Sequence, residues 1–156
     1  MARFPSVQDD APRRADNRGW LQVLYESEHM VLKRSFSKAG VFRGLHVQIA
    51  PSLQTKLIRV VSGRIIDVIV SLDDPARVIH HQELTAANDW VRIDAHYAHG
   101  FYAVEDTLFE YVCDGGYDEA NEQAFAINAY LADVLGLSEV IVSDKDRASP
   151  ELKSST

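Results

Sequence analysis

The chain has 156 residues, 46% of them hydrophobic and 25% charged, which suits one domain able to bury a core of its own. The 16 Lys and Arg against 23 Asp and Glu leave a formal charge of −7, the wrong sign for a general nucleic-acid binder, although a local basic cluster could still hold a small anion. A single cysteine, Cys113, excludes an internal disulfide and a multi-cysteine zinc site and fits a reducing, cytoplasmic setting. No apolar run approaches the ~20 residues of a membrane span, so no membrane partner is expected. Residues 1–10 lack the apolar stretch of a secretory signal.

Residues 1–15 are polar, carry Pro5 and Pro12, and read as a loose N-terminal arm; 149–156 read as a similar tail, which leaves 16–148 as one unit. Short runs rich in β-branched and aromatic residues predict strands over 20–25, 41–47, 56–61, 64–72, 78–84, 90–93, 99–104 and 107–112. Ser62-Gly63, between two of them, is a hairpin signal. The run Ile65, Ile66, Val68, Ile69, Val70 is apolar on both faces apart from Asp67, which points to a strand buried on both sides. Ala124, Ile127, Leu131, Val134 and Leu135 recur with a helical period and predict a helix over 122–135 ended by Gly136. The expected fold is therefore all-β, a small sandwich or closed barrel, with one short helix near the C-terminus.

Two strands mix polar and apolar residues on a face. Alternation puts Phe42, Gly44 and His46 on one side of 41–48 and Arg43, Leu45 and Val47 on the other, while Lys56, Ile58 and Val60 share a side. Such mixing fits strands that line a polar cavity. Of the six histidines, His29, His80 and His81 have no supporting context, and His96 and His99 stand three apart in 94–101. A two-layer β fold with histidines resembles the cupin superfamily, whose metal-binding members present two histidines one residue apart, then a glutamate, then a distant histidine. Here the residue at that spacing from His46 is Gln48, and no glutamate follows nearby. The three or four convergent ligands of a catalytic metal cannot be assembled, so a metal-free pocket is expected.

The segments Phe42 to Gln48 (FRGLHVQ), Gln54 to Val60 (QTKLIRV), Gly63, Asp67-Val68, Ala98 to Phe101 (AHGF), Phe109 to Cys113 (FEYVC) and Ser143 to Arg147 (SDKDR) resemble the dTDP-4-dehydrorhamnose 3,5-epimerase family. Asp16-Asn17-Arg18-Gly19 resembles that family's N-terminal DxRG segment, and the matches occur in the family's order across nearly the whole chain. The resemblance implies a cupin-type jelly roll, or double-stranded β-sandwich, acting as a homodimer with no metal or organic cofactor. It implies inversion of carbons beside the 4-keto group of a nucleotide-linked 6-deoxyhexose. By the same resemblance His46 is the base, Asp146 orients its imidazole, Lys56 stabilises the enolate oxygen and Tyr111 is the acid on the other face. Arg43, Arg59 and His99 match positions that line the pocket or meet the diphosphate. Gln48 and Lys145 match substrate-contacting positions, Tyr117 matches an aromatic that flanks the base, and Arg18 matches a segment reaching a neighbouring subunit's nucleotide site.

The chain departs from the family where Val31 and Lys33 stand for a glutamine and an asparagine, Val23 for a glutamate, Asp94-Ala95 for Pro-Pro, and Ile127-Asn128-Ala129 for Trp-Asn-Asp. These positions bear on sugar and nucleotide contacts more than on the four catalytic ones. The nucleotide is left open, and so are a single-centre epimerase, a 3,4-ketoisomerase and a non-catalytic sugar-binding cupin.

Overall fold

A computed structural model describes residues 11–153, so 1–10 of the expected arm and 154–156 of the expected tail lie outside the described residues. The strands in chain order are β1 (Arg14–Asp16), β2 (Gly19–Glu26), β3 (Met30–Ser37), β4 (Phe42–Gln48), β5 (Thr55–Ser62), β6 (Arg64–Ser71), β7 (Ile79–Thr85), β8 (Val91–Ile93), β9 (Tyr97–Ala103), β10 (Thr107–Asp114) and β11 (Glu122–Ala124). Two short helices follow, α1 (Asn128–Asp133) and α2 (Asp144–Arg147). The strands make two antiparallel sheets, six-stranded in the order β1-β2-β3-β10-β5-β8 and five-stranded in the order β11-β4-β9-β6-β7. This is the all-β sandwich that the strand spacing predicts.

Two apolar clusters explain why β6 is hydrophobic on both faces. One lies between the sheets: Ile58, Val60, Ile65, Leu84, Ile93, Phe101 and Phe109. Phe101 and Phe109 bring their rings to 4.5 Å there, facing each other from opposite sheets. The other lies on the far side of the five-stranded sheet, where Phe42, Leu45, Val47, Val68, Val70 and Ala98 meet Ile127 and Leu131 of the C-terminal segment. Alternation sends Ile65 to the first cluster and Val68 and Val70 to the second. Each such fully buried aliphatic side chain contributes about 1.5–3 kcal/mol.

Four expectations are corrected. Ser62-Gly63 is not a hairpin, because β5 and β6 belong to different sheets and the turn carries the chain between layers. Gly63 has φ +96°, and a Cβ there would fall 2.4 Å from the Asp106 carbonyl oxygen, so glycine alone fits this corner. The helix predicted over 122–135 is a strand in its first part: Glu122–Ala124 pairs with Gln48, Val47 and His46 of β4. Only Asn128–Asp133 is helical, with Gly136 at φ +69° just beyond it. The apolar spacing is genuine for Ile127 and Leu131, but Ala124 belongs to the sheet. At the end of the expected arm, Arg14 and Ala15 pair with Leu21 and Trp20 of β2. The tail is likewise held: Ala126 N–H donates to the Pro150 carbonyl and Leu152 N–H to the Ala126 carbonyl, both at 2.8 Å, while Glu151 accepts from Asn128 Nδ2 and the Ala129 N–H. Among the described residues no helix is long and apolar enough to cross a membrane.

Candidate active site

Strand β4 departs from strict alternation. Its register against β9 shifts between Arg43 and His46. Phe42, Leu45 and Val47 therefore all face the C-terminal cluster, while Arg43 and His46 both line a cavity between the sheets. Strict alternation would instead separate Arg43 from His46 and group His46 with Phe42. Gly44 sits at the irregularity with φ +115°, and a Cβ there would come within 2.7 Å of Gly100 Cα and the His99 carbonyl. Only glycine lets β4 and β9 approach this closely.

The cavity has a volume of about 470 Å³. On one wall His46 Nε2 lies 2.7 Å from Asp146 Oδ1. Asp146 stands in the first turn of α2, where its N–H donates to the Ser143 hydroxyl at 3.1 Å, so a Ser143 cap fixes the carboxylate's position. The other carboxylate oxygen accepts from Gly44 N–H at 3.4 Å and lies 4.0 Å from Arg18 Nη1. Burial alone pushes the Asp146 carboxyl up. The His46 hydrogen bond and charge, the Gly44 N–H and the Arg18 guanidinium outweigh it and hold the group below its ordinary value. A second buried pair sits beside it, His99 Nε2 and Asp67 Oδ1 at 2.6 Å.

Opposite, β5 and β10 turn Lys56 and Tyr111 into the same cavity. Burial depresses the Lys56 ammonium's hold on its proton. Burial also pushes the Tyr111 phenol up, so it stays protonated across the neutral range. Arg43 donates from Nε to the Ser37 hydroxyl at 2.7 Å and from Nη2 to the Phe36 carbonyl at 3.0 Å. Burial, and then Arg18, lower it to about 10, which leaves it charged at neutral pH. Toward the rim, Arg18 pairs with Asp16 at 2.6 Å and Lys145 with Glu122 at 3.1 Å, with exposed Tyr117 beside them. Among the described residues no group of three or more His, Cys, Asp or Glu is placed to hold a metal ion.

The structure thus brings Arg18, Arg43, His46, Lys56, His99, Tyr111, Tyr117, Lys145 and Asp146 to one cavity. Arg18, expected to reach a neighbouring subunit, lines the cavity of its own chain. Two expected residues stand elsewhere. Gln48 is one layer back, donating to Glu122 Oε2 at 3.4 Å and accepting from Asp118 N–H at 3.2 Å. Arg59 is on the outer face of β5, because Lys56, three residues before it, points inward. There it lies 2.8 Å from Glu110 Oε2, while Arg34 pairs with Oε1 of the same carboxylate, and its guanidinium sits 4.8 Å over the Trp90 ring. Asp16, Ser35 and Glu122, which the sequence does not mark as candidates, also line the cavity, and so does Lys33, the departure expected to bear on sugar and nucleotide contacts. Lys33 and Ser35 lie on β3, a strand with too few apolar residues on its inner face to be recognised.

Comparison with known proteins gives one family. The model of the dTDP-4-dehydrorhamnose 3,5-epimerase family matches residues 10–154. A curated dTDP-4-dehydrorhamnose 3,5-epimerase of Streptomyces griseus is 28% identical over 156 residues, covering 87% of this chain and 76% of that protein. One from Mycobacterium tuberculosis is 30% identical over 131 residues, covering 76% of this chain and 63% of that protein. A crystal structure of the Bacillus anthracis dTDP-4-dehydrorhamnose 3,5-epimerase, with TDP and PPi bound, superposes with a TM-score of 0.71 at 34% identity and covers 91% of both chains.

Proposed function

The chain belongs to the dTDP-4-dehydrorhamnose 3,5-epimerase family, and on that premise we propose that it inverts C3, C5 or both of a dTDP-linked 4-keto-6-deoxyhexose. The observation that carries this reading is the His46–Asp146 pair opening on the same cavity as Lys56 and Tyr111. A base, an acid and a cation in one enclosure are what proton transfer beside a ketone requires.

The ketone acidifies the neighbouring C–H bonds. Asp146 is ionised and can only accept, so Nε2 of His46 carries the proton directed at it and Nδ1 holds the free lone pair. Nδ1 takes the carbon-bound proton, the C–H electrons form a C=C bond, and the carbonyl electrons move onto oxygen. The Lys56 ammonium stabilises that enolate oxygen. The carbonyl then reforms as the carbon takes the Tyr111 O–H proton from the opposite face. The carbon leaves inverted, with an imidazolium and a phenolate that re-equilibrate through solvent. Burial that raises the phenol keeps its proton in place until a base as strong as an enolate carbon arrives. Arg43 and Arg18 hold the diphosphate, Arg43 through a planar fork that remains charged. His99, held by Asp67, lines the sugar site. Lys145 and Gln48 act through Glu122 beneath Tyr117, which flanks the base.

The protein acts as a homodimer in the cytoplasm in this reading. The outer face of the six-stranded sheet supports the first part, since it exposes Leu57 and Trp90 around the Arg34–Glu110–Arg59 cluster. Turnover in D₂O tests the proposal: deuterium should enter C3 or C5 of the sugar, and His46→Ala should abolish that entry while its circular dichroism stays native. No deuterium at either carbon with bound substrate, or full exchange by His46→Ala, would refute it.

A further inference from the structure

A second cavity, of about 390 Å³, lies against the His46–Asp146 pair and has no part in the proton chemistry. It is bounded by β4, α1, the 138–142 segment and α2. Gly44 and Asp146 line both cavities, so one carboxylate borders the substrate site and this second space. The floor is apolar. Phe42, Ile127 and Leu131 are each 2% exposed, and Val140 and Val142 pack against the same cluster. A cavity of this size, with an apolar floor and a few polar groups over it, has the make-up of a small-molecule site.

The charges over that floor indicate what it takes. Besides Asp146, which His46 already matches, the lining has two charged side chains, Arg147 at the end of α2 and Glu139 in the 138–142 segment. Among the described residues neither has an ion-pair partner within 4.0 Å or a side-chain hydrogen bond, and they do not pair with each other. The wall also offers donors: the backbone N–H groups of Ser138, Glu139 and Val140 bond to no backbone carbonyl among the described residues. A simple anion would satisfy Arg147 and be repelled by Glu139, and a simple cation the reverse. A molecule that carries both charges satisfies both residues. We infer that the second cavity binds a small zwitterion with an apolar body, an α-amino acid of the leucine type. Its carboxylate meets Arg147 and the free N–H groups, its ammonium meets Glu139, and its side chain lies on the floor. The assignment does not depend on the epimerase reading.

NMR titration of the protein with leucine tests it, and binding should be near millimolar. Isocaproate, which is leucine without the ammonium, and isoamylamine, which is leucine without the carboxylate, should each bind roughly fivefold more weakly or worse. Arg147→Gln should weaken leucine roughly three- to tenfold and isoamylamine not at all, because only leucine has the carboxylate that the arginine holds. Glu139→Gln should likewise weaken leucine and leave isocaproate no weaker. Saturating dTDP should leave the leucine affinity within about threefold, since the two ligands occupy different cavities. The His46 ring resonances should move as leucine binds, because Asp146 borders both spaces. No shift with millimolar leucine, equal binding of the three compounds, unchanged leucine affinity in both charge variants, or displacement of leucine by dTDP would overturn the site.

Discussion

Asp146→Asn isolates the charge that holds the base. The substitution keeps the side chain's shape, and the backbone of α2 should not move, because its Ser143 cap bonds to the Asp146 N–H and not to the carboxylate. What changes is the number of acceptors. The carboxylate serves His46 Nε2 at 2.7 Å with one oxygen and Gly44 N–H at 3.4 Å with the other. Asparagine has one acceptor oxygen. If that oxygen turns to His46, an amide N–H₂ faces the Gly44 N–H. If it turns to Gly44, an N–H₂ faces Nε2, which must then accept, and the proton moves to Nδ1, the nitrogen that should take it from carbon. Either way the imidazolium formed during reaction loses its counter-charge. A hydrogen bond to a charged group contributes about 1.5–3 kcal/mol, and ~1.36 kcal/mol is a factor of ten in rate. The expected fall in kcat is therefore roughly 10- to 150-fold. The assay is deuterium entry from D₂O at the carbons beside the ketone, followed by NMR, with thermal melts to confirm the fold. A variant that exchanges within about twofold of the parent would refute the role of Asp146. Stability gives a second readout: the carboxyl lies below its ordinary 3.8 in the folded protein, so its contribution is present above that pH and is lost as pH falls through the folded value. Asp146→Asn should lack that part of the acid transition.

Other substitutions separate activity from stability. Lys56→Met should lower kcat about 10²–10³-fold, the usual loss for one group at a developing oxyanion. Yet it should melt at the parent's temperature or above, because burial disfavours the charged ammonium, and the parent's stability should rise with pH through the window below 10.5 as the variant's does not; a large drop in melting temperature would refute this. Tyr111→Phe keeps the ring against Phe109, 5.7 Å away, and removes only the acid. Inversion should fall about 10²–10⁴-fold while His46 still exchanges deuterium with retention, and NMR distinguishes the two products. Glu110→Ala should destabilise by about 1–3 kcal/mol at pH 7 in denaturant melts, since Arg34 and Arg59 lose their shared carboxylate. Burial raises the Glu110 carboxyl, but the two arginines outweigh it and hold it below 4.5, so that difference should shrink as pH falls through the folded value.

The layers of the fold were legible wherever both faces of a strand meet apolar partners. β6 is the clearest case: Ile65 and Val70 serve different clusters, so both faces are hydrophobic and the run stands out. What was not legible depends on contacts distant in sequence. Glu122–Ala124 is a strand because β4 offers it an edge some 76 residues earlier (Ala124 against His46, Glu122 against Gln48), and nothing local in those three residues records that. The Ser62-Gly63 corner has the residues of a hairpin, but whether a glycine turn pairs its flanking strands or sends them to separate sheets is decided by the packing of Thr107 and Asp106 against it.

The site posed the converse problem. A strand that lines a polar cavity gives up the alternation by which strands are recognised, so part of the cavity wall lies on a segment that does not look like regular structure. β3 was invisible for this reason, its inner face being Lys33 and Ser35. β4 was recognised as a strand but assigned the wrong faces, because Arg43 and His46 reach the cavity together only through an irregularity at Gly44. Simple alternation did suffice for Arg59. Lys56, Ile58 and Val60 already share the inner face, which sends Arg59 outward to Glu110. A motif match treats Lys56 and Arg59 alike, whereas the period of two separates them. Where periodicity and motif disagree about a side chain on a regular strand, the backbone's geometry decides.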